Sequence, residues 1–261
     1  MTFSHILYHA NCADGFGAAY AAWTVLGDSA QYLPVRHGDP PPELPDEARV
    51  AIVDFSYDRQ TLLDLQARVQ EFLVLDHHKS ARDDLRDLSW AQFDMEKSGA
   101  RLAWEYWRPG EPLPDLLAYI EDRDLWRWAL PESREVSLAL QCYPQDFSGW
   151  SELSVADLRA EGRAILNFQN QQISRAVSRA RFQEVGGHNV PTVNSCLFQS
   201  EVGDELCRLH PEAPFAAVYY VNQHGKQAWS LRSIGEFDVA EVARVFGGGG
   251  HRNAAGFGRD F

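Results

Sequence analysis

Two kinds of segment alternate along the N-terminal part of the chain. Short, largely apolar runs predict buried strands, and longer segments with apolar residues at helical spacing predict helices. The predicted strands are Ile6–Tyr8, Tyr32–Val35, Val50–Asp54 and Phe72–Leu75. The predicted helices are Gly15–Leu26, Asp58–Val69 and Ser98–Trp107. Such alternation is typical of an α/β fold, a parallel sheet with helices on both faces.

A second, smaller α/β pattern follows a long helical segment. Between Val155 and Glu184 there is no proline and a single glycine, so we expect one largely solvated helix that ends at Gly186-Gly187. Further elements are expected as the helix Leu113–Ile120, the strands Val190–Val193, Phe215–Val221 and Gln227–Arg232, and the helices Glu201–Leu209 and Val239–Phe246. The predicted organisation is a domain at 1–148, a helical connector at 149–187 and a smaller α/β domain at 188–261.

The composition excludes some classes of protein. The 261 residues carry a formal net charge of −13, which gives no general attraction for duplex DNA. The four cysteines form no C-x-x-C pair, which favours a reduced, cytoplasmic setting. No run approaches the length of a membrane span, and the N-terminus lacks the pattern of an export signal, so we expect an unexported protein without membrane contact.

Polar side chains with metal-binding chemistry follow three of the predicted strands. Asp76-His77-His78 comes directly after Phe72–Leu75, Asp54 closes another strand, and His9 precedes Asp14 after the first. Because parallel strands present their carboxyl ends at one edge of a sheet, these groups are expected to converge there. Carboxylates and imidazoles suit Mn²⁺, Mg²⁺ or Zn²⁺. Each residue taken alone also fits an ordinary role in a loop, as a backbone cap or a packed histidine.

A glycine-rich segment near the C-terminus is the other conspicuous motif. Gly247-Gly248-Gly249-Gly250-His251 is followed by Arg-Asn-Ala-Ala-Gly-Phe. Consecutive uncovered backbone amides can form a nest for an anion, and we prefer this interpretation to that of a flexible turn.

Together these motifs resemble the DHH phosphoesterase superfamily, in the branch with a DHH-associated C-terminal domain. The resemblance rests on the Asp76-His77-His78 triplet, the upstream His9 and Asp14-Gly15, the strand-end Asp54 and the terminal glycine-rich motif. It covers nearly the whole chain and implies a parallel-sheet DHH domain joined by the helical connector to the smaller α/β domain.

The resemblance implies a centre of two metal ions. Mn²⁺ is the expected ion, with Mg²⁺, Zn²⁺ or Fe²⁺ as alternatives, and Asp54 is expected to bridge the pair. The implied ligands are His9 and Cys12 for the first ion, and Asp14, His77 and Asp122 for the second. Asp124 competes with Asp122. Cys12 stands where the family usually has an aspartate, and its sulfur favours Zn²⁺ or Fe²⁺ over Mn²⁺.

The resemblance also implies residues that act on a substrate. Asp76 and His78 are expected to serve catalysis with Asp54, Asp76 by orienting an imidazole and His78 by donating to the substrate. Arg232 is expected to grip a phosphate, although an arginine there also fits a surface ion pair. The remaining expected substrate contacts are Ser98, Arg123, Gly248, Gly249, Gly250 and His251.

The implied reaction is two-metal hydrolysis of a phosphodiester in a cleft between the domains. Expected substrates are short single-stranded oligonucleotides, nucleoside bisphosphates or cyclic dinucleotides, and a homodimer is compatible with this interpretation. Three alternatives stay open: a single-strand exonuclease similar to RecJ, a pyrophosphatase, and a non-catalytic nucleotide- or partner-binding module with a degenerate metal site. Cys12 is the feature that favours the last.

Overall fold

The computed structural model describes residues 3–260 and divides into two compact units. One unit runs up to Leu166 and the other begins at Asn167, so the division falls inside a single helix, α8 (Val155–Val177). Each unit contains one sheet with helices, and the first sheet is parallel. The predicted α/β class is therefore confirmed.

A five-stranded parallel sheet forms the first unit. Its strands are β1 (His5–His9), β2 (Gln31–Val35), β3 (Arg49–Val53), β4 (Glu71–Asp76) and β5 (Ala91–Phe93). Its helices before α8 are α1 (Ala13–Leu26), α2 (Arg59–Gln66), α3 (Lys79–Leu85), α4 (Gly99–Trp107), α5 (Asp115–Asp124), α6 (Ser133–Leu140) and α7 (Phe147–Ser151). The strand order β2-β1-β3-β4-β5 reverses its winding between β1 and β3. In open parallel sheets, ligands bind at the carboxyl ends of the strands at such a reversal.

Successive side chains of the central strands enter two different cores. Ile6 and Tyr8 of β1 pack in a core with residues of α1, α4 and α5, whereas Leu7 packs with residues of α2 and α3. The same alternation holds for β3 and β4. Since side chains alternate along a strand, both faces of the sheet are covered. This burial leaves the ends of the strands as the place for polar groups.

The second unit contains a mixed, six-stranded sheet. Its elements after α8 are β6 (Arg181–Val185), β7 (His188–Asn194), α9 (Gln199–Leu209), β8 (Ala216–Val221), β9 (Gln227–Arg232), α10 (Val239–Val245), β10 (Gly249–His251) and β11 (Ala254–Arg259). The strand order is β10-β11-β9-β8-β7-β6, and all neighbours are antiparallel except β7 and β8.

The long helix is shorter than the sequence predicts. It ends at Val177, and Arg181–Val185 forms strand β6 instead of continuing the helix to Glu184. Gly186 and Gly187 have φ angles of 57° and 81° and form the two-residue turn between β6 and β7. Four of the five β6 residues are exposed, so this edge strand has no burial pattern that would distinguish it from a solvated helix. Among residues 3–260, no helix combines the length and apolar character that crossing a membrane requires.

Candidate metal centre

Three polar residues stand in one row across adjacent strand ends. Tyr8 pairs with Val53, and Val53 pairs with Leu75, so the next residue of each strand, His9, Asp54 and Asp76, lies in the same row. Asp54 and Asp76 are buried, and His9 is partly exposed. These three polar residues therefore converge at the carboxyl edge of the sheet, as expected from the sequence.

The two carboxylate oxygens of Asp54 face different histidines. Oδ1 lies 3.1 Å from His77 Nε2, and Oδ2 lies 3.6 Å from His9 Nδ1. Burial by itself would raise the pKa of Asp54, but the contacts with the two imidazoles lower it, so the group stays ionised. Its backbone is left-handed, with φ at 54°, and its N–H donates to Leu75 O. A buried aspartate in such a conformation is a frequent feature of functional sites.

Asp14 is held by the N-terminus of helix α4. The N–H groups of Gly99 and Ala100 donate to its two carboxylate oxygens over 2.6 and 2.9 Å. The first amides of the helix therefore bind a carboxylate of the protein itself. Ser98 is fully buried and its hydroxyl accepts the Arg101 N–H as the cap of α4. This corrects the expected substrate contact of Ser98, because a buried capping hydroxyl is committed to its helix.

His77 is buried and faces three carboxylates, of which Asp14 and Asp54 are buried and Asp124 is partly exposed. Its Nε2 atom lies 3.1 Å from Asp54, 3.5 Å from Asp14 and 3.5 Å from Asp124. Burial would lower the pKa of His77, but these three carboxylates raise it to about 11. Burial and the neighbouring charges raise the pKa values of Asp14 and Asp124. Nε2 has a single proton to share among three carboxylates, so the group has an excess of negative charge that a cation would neutralise.

The structure places Asp124 rather than Asp122 in this group. Helix α5 continues to Asp124, whose carboxylate faces His77. The Asp122 carboxylate is buried and accepts the backbone N–H groups of Ala129 and Leu130 at 2.8 and 3.3 Å. The structure thus brings the alternative candidate, Asp124, to the His77 group, whereas Asp122 stabilises the turn that follows the helix.

A second group of donors consists of His9, Cys12 and Asp54. One nitrogen, one sulfur and one carboxylate oxygen from these residues lie within 4.8 Å of one another. The same spacing holds for Asp14, His77 and Asp124. An ion bound by nitrogen, sulfur and oxygen at about 2.0–2.3 Å fits between atoms at such distances after small side-chain shifts. The donor types and spacing therefore fit two divalent ions, with Asp54 facing both groups.

Asp76 orients His78 beside these groups. Asp76 Oδ1 lies 2.7 Å from His78 Nδ1 and accepts the His77 N–H at 2.7 Å, while Ser56 donates to Oδ2. Burial would lower the pKa of His78, but Asp76 raises it to about 9. A protonated His78 is thereby available as a donor at neutral pH.

Sequence patterns missed two contributors to the strand edge. His37 follows β2, and its ring lies 5.3 Å from that of His9 and 4.5 Å from that of Phe55. The sequence could have indicated His37, because it comes soon after a predicted strand, as the other polar residues at this edge do. Gly99 packs on Asp54 so closely that a Cβ atom there would lie 2.4 Å from the Asp54 Cβ. No sequence signal reveals this contact, since the two residues come from distant segments.

A pocket of about 270 Å³ opens beside the carboxylates of the first unit. Cys12, Asp14, Arg123 and Asp124 line one part of it, with polar and apolar residues of α5 and α6 around the rest. The Arg123 guanidinium lies over the ring of Trp126 at 5.3 Å. Arg123 is thus near the candidate metal ligands, as a substrate contact requires.

The glycine-rich segment has a structural role that the sequence did not predict. Gly247 N–H donates to Arg244 O and Gly248 N–H to Ala243 O, which ends helix α10 in a Schellman motif. The expected anion nest is corrected at Gly248, because its amide is used in the cap. Gly249, Gly250 and His251 form β10, the edge strand of the second sheet.

Arg232 is half-buried in the second unit. Its guanidinium donates to Leu231 O at 2.8 Å and to Ser200 Oγ at 2.6 Å, and its stem packs on Gly203. These bonds fix the side chain on the sheet, and its expected role toward a phosphate stays a prediction.

Known proteins with similar sequences or folds agree with this architecture. Residues 201–260 match the DHHA1 domain. Uncharacterized protein R106 of Acanthamoeba polyphaga mimivirus is 32% identical over 278 residues, covering 96% of this chain and 66% of that protein. Oligoribonuclease NrnB of Bacillus subtilis (strain 168) is 24% identical and covers 70% of this chain and 51% of that protein. The chain thus spans between half and two thirds of the length of these curated relatives.

A solved structure shares the fold. RecJ from Thermus thermophilus in complex with Mn²⁺ superposes with a TM-score of 0.52 at 17% identity, covering 98% of this chain and 49% of that chain. Fold and site define an α/β protein with a candidate divalent-metal centre at the carboxyl edge of a parallel sheet. The chain carries a DHHA1 domain at residues 201–260, and this match together with the NrnB relative supports the DHH superfamily that the sequence motifs predict.

Proposed function

We propose that this protein is a divalent-metal-dependent phosphodiesterase that hydrolyses short oligonucleotides or small nucleotides. The observation that carries the proposal is the convergence of three carboxylates, the buried Asp14 and Asp54 and the partly exposed Asp124, on one imidazole, with a second donor group beside them. A related protein named as an oligoribonuclease and a RecJ structure with Mn²⁺ support the same chemistry.

Asp54 would be shared between two ions in this proposal. His9 and Cys12 would complete one position, and Asp14, His77 and Asp124 the other. Divalent cations there would supply positive charge to the reacting phosphoryl group and activate water. Mn²⁺ is the ion to test first, with Mg²⁺ and Zn²⁺ as the alternatives.

The protein's own side chains would bind and orient the phosphate. His78 is kept protonated by Asp76 and would donate to a phosphate oxygen. Arg123 lies at the rim of the adjoining pocket, and Arg232, Gly249, Gly250 and His251 of the second unit are further candidates for substrate contacts. A net charge of −13 supports small substrates, because a long polyanion would be repelled outside the immediate site.

The test is hydrolysis of a substrate panel by metal-stripped protein, with and without Mn²⁺. The panel contains a dinucleotide, a short RNA, a cyclic dinucleotide, a nucleoside bisphosphate and pyrophosphate. We expect Mn²⁺-dependent cleavage of one of the nucleotides and its loss in Asp54→Asn, because the shared carboxylate would be removed.

Asp46→Asn is the matched control. The Asp46 side chain is 84% exposed, so the same chemical change should leave activity intact. An active, metal-replete Asp54→Asn protein would contradict the assignment. Silence across the panel with no metal retained would favour the non-catalytic binding module.

A further inference from the structure

The side chain of Cys12 does not cap the helix that follows it, although four other residues of this chain cap theirs. Ser98, Asp58, Asp146 and Asp238 each accept a backbone N–H at the start of their helix. Cys12 precedes α1 in an extended conformation, yet its side chain makes no capping hydrogen bond. Its sulfur instead belongs to the donor group with His9 and Asp54.

The two donor groups therefore differ in chemistry. One offers sulfur, nitrogen and oxygen, and the other offers one imidazole and two carboxylates. Thiolate ligands favour borderline-soft ions such as Zn²⁺, whereas carboxylate-rich groups also suit Mn²⁺ and Mg²⁺. The exposed Cys142 and Cys196 and the buried Cys207, which donates to Arg232 O, belong to neither group.

We propose that the centre discriminates between metals, with Cys12 making the His9–Cys12–Asp54 position selective for a thiophilic ion of the Zn²⁺ class. The Asp14–His77–Asp124 position then takes a harder ion such as Mn²⁺. This inference rests on the metal centre of the proposed function and adds an unequal preference for ions at its two positions.

Backbone hydrogen bonds at Cys12 and the burial of Asp54 hold two members of the donor group in place. The backbone of Cys12 is held by the Phe16 N–H and by the Gln145 side chain, both of which donate to its carbonyl oxygen. Asp54, another member of the donor group, is almost fully buried. Since neither the backbone of Cys12 nor Asp54 moves readily, the sulfur would contribute to selectivity as well as to affinity.

The experiment titrates Co²⁺ into the metal-stripped, full-length protein and follows its absorption. Sulfur coordination gives a thiolate-to-cobalt charge-transfer band in the near ultraviolet. Four- or five-coordinate bound Co²⁺ also has visible d–d bands that are much stronger than those of the free ion. We expect the charge-transfer band in the wild type and in Cys142→Ser, and its loss in Cys12→Ser and Cys12→Asp. Serine and aspartate are both favourable at a helix N-cap, so both variants should fold.

Competition between metals gives the second readout. We expect Cys12→Asp to lower the affinity for Zn²⁺ relative to Mn²⁺ by about tenfold or more, as the loss of a sulfur ligand requires. Visible d–d bands without a charge-transfer band in the wild type would overturn the inference while leaving the metal centre in place. Failure of the protein to retain Co²⁺, Zn²⁺ or Mn²⁺ in equilibrium dialysis would overturn the metal centre itself, and the inference with it.

Discussion

Gly99 has no side chain, and this leaves space for Asp54, a candidate metal ligand, to pack against it. Asp54 adopts a left-handed backbone conformation and its carboxylate is wedged between two histidines and the start of α4. A Cβ atom on Gly99 would lie 2.4 Å from the Asp54 Cβ and 2.8 Å from Oδ1. Position 99 is therefore restricted to glycine by its packing on Asp54 rather than by its own backbone conformation.

Gly99→Ala should consequently damage the site and the fold together. Overpacking a filled site costs about 1–3 kcal/mol, and displacing a metal ligand lowers affinity by about 10- to 100-fold. Mn²⁺ titration and denaturant unfolding measure the two effects. Gly258→Ala is the control, because a Cβ atom there meets nothing within 4 Å. Unchanged Mn²⁺ affinity in Gly99→Ala would contradict the close packing on Asp54.

At the level of elements, the sheet of the first unit could be predicted because its buried strands are continuous apolar runs in the sequence. β1, β3 and β4 are apolar on both faces, and their polar ends fall in one row through parallel register. The same signal is missing for the exposed β6 and for the three-residue strands β5 and β10. Periodicity therefore finds buried elements and misses short or solvated ones.

The sequence does not determine which of the two carboxylates, Asp122 or Asp124, faces His77. Both carboxylates lie in the last turn of α5, and which one faces His77 depends on where the helix ends and on the turn that follows. The Asp122 carboxylate instead accepts hydrogen bonds from the backbone amides of Ala129 and Leu130. Such a turn is a tertiary feature that a motif match cannot resolve.

The Schellman motif after α10 gives a prediction at this scale. Gly247 has a φ of 77°, a conformation that costs a residue with a side chain about 1–2 kcal/mol. We expect Gly247→Ala to lower the free energy of unfolding by that amount, measured by denaturant titration. Mn²⁺ affinity should stay unchanged, because the donor groups around Asp54 lie in the other unit. A variant as stable as the wild type would contradict the cap.

At the scale of the whole molecule, the net charge is negative, and a few of the carboxylates converge at the edge of the first sheet. The chain carries an excess of acidic residues, and the buried carboxylates at the sheet edge repel each other unless positive charge is present. The metal-free protein should therefore be the less stable form.

Adding Mn²⁺ to metal-free protein should raise the free energy of unfolding. For each site the gain is about 2.7 kcal/mol when free ion is a hundred times the dissociation constant. Thermal or denaturant unfolding with Mn²⁺, and again after a chelator, measures it. Asp54→Asn should lose most of the gain and Asp46→Asn none. Equal gains in both variants would assign the stabilisation to unspecific surface binding.

The most direct test of the account is the number of divalent ions that each chain binds, counted by equilibrium dialysis and elemental analysis. The two donor groups that share Asp54 predict two ions per wild-type chain with Mn²⁺ and Zn²⁺ both supplied, and a marked loss in Asp54→Asn. A wild-type chain that binds none, or an Asp54→Asn chain that binds as many as the wild type, would contradict the assignment of this strand edge as a metal centre.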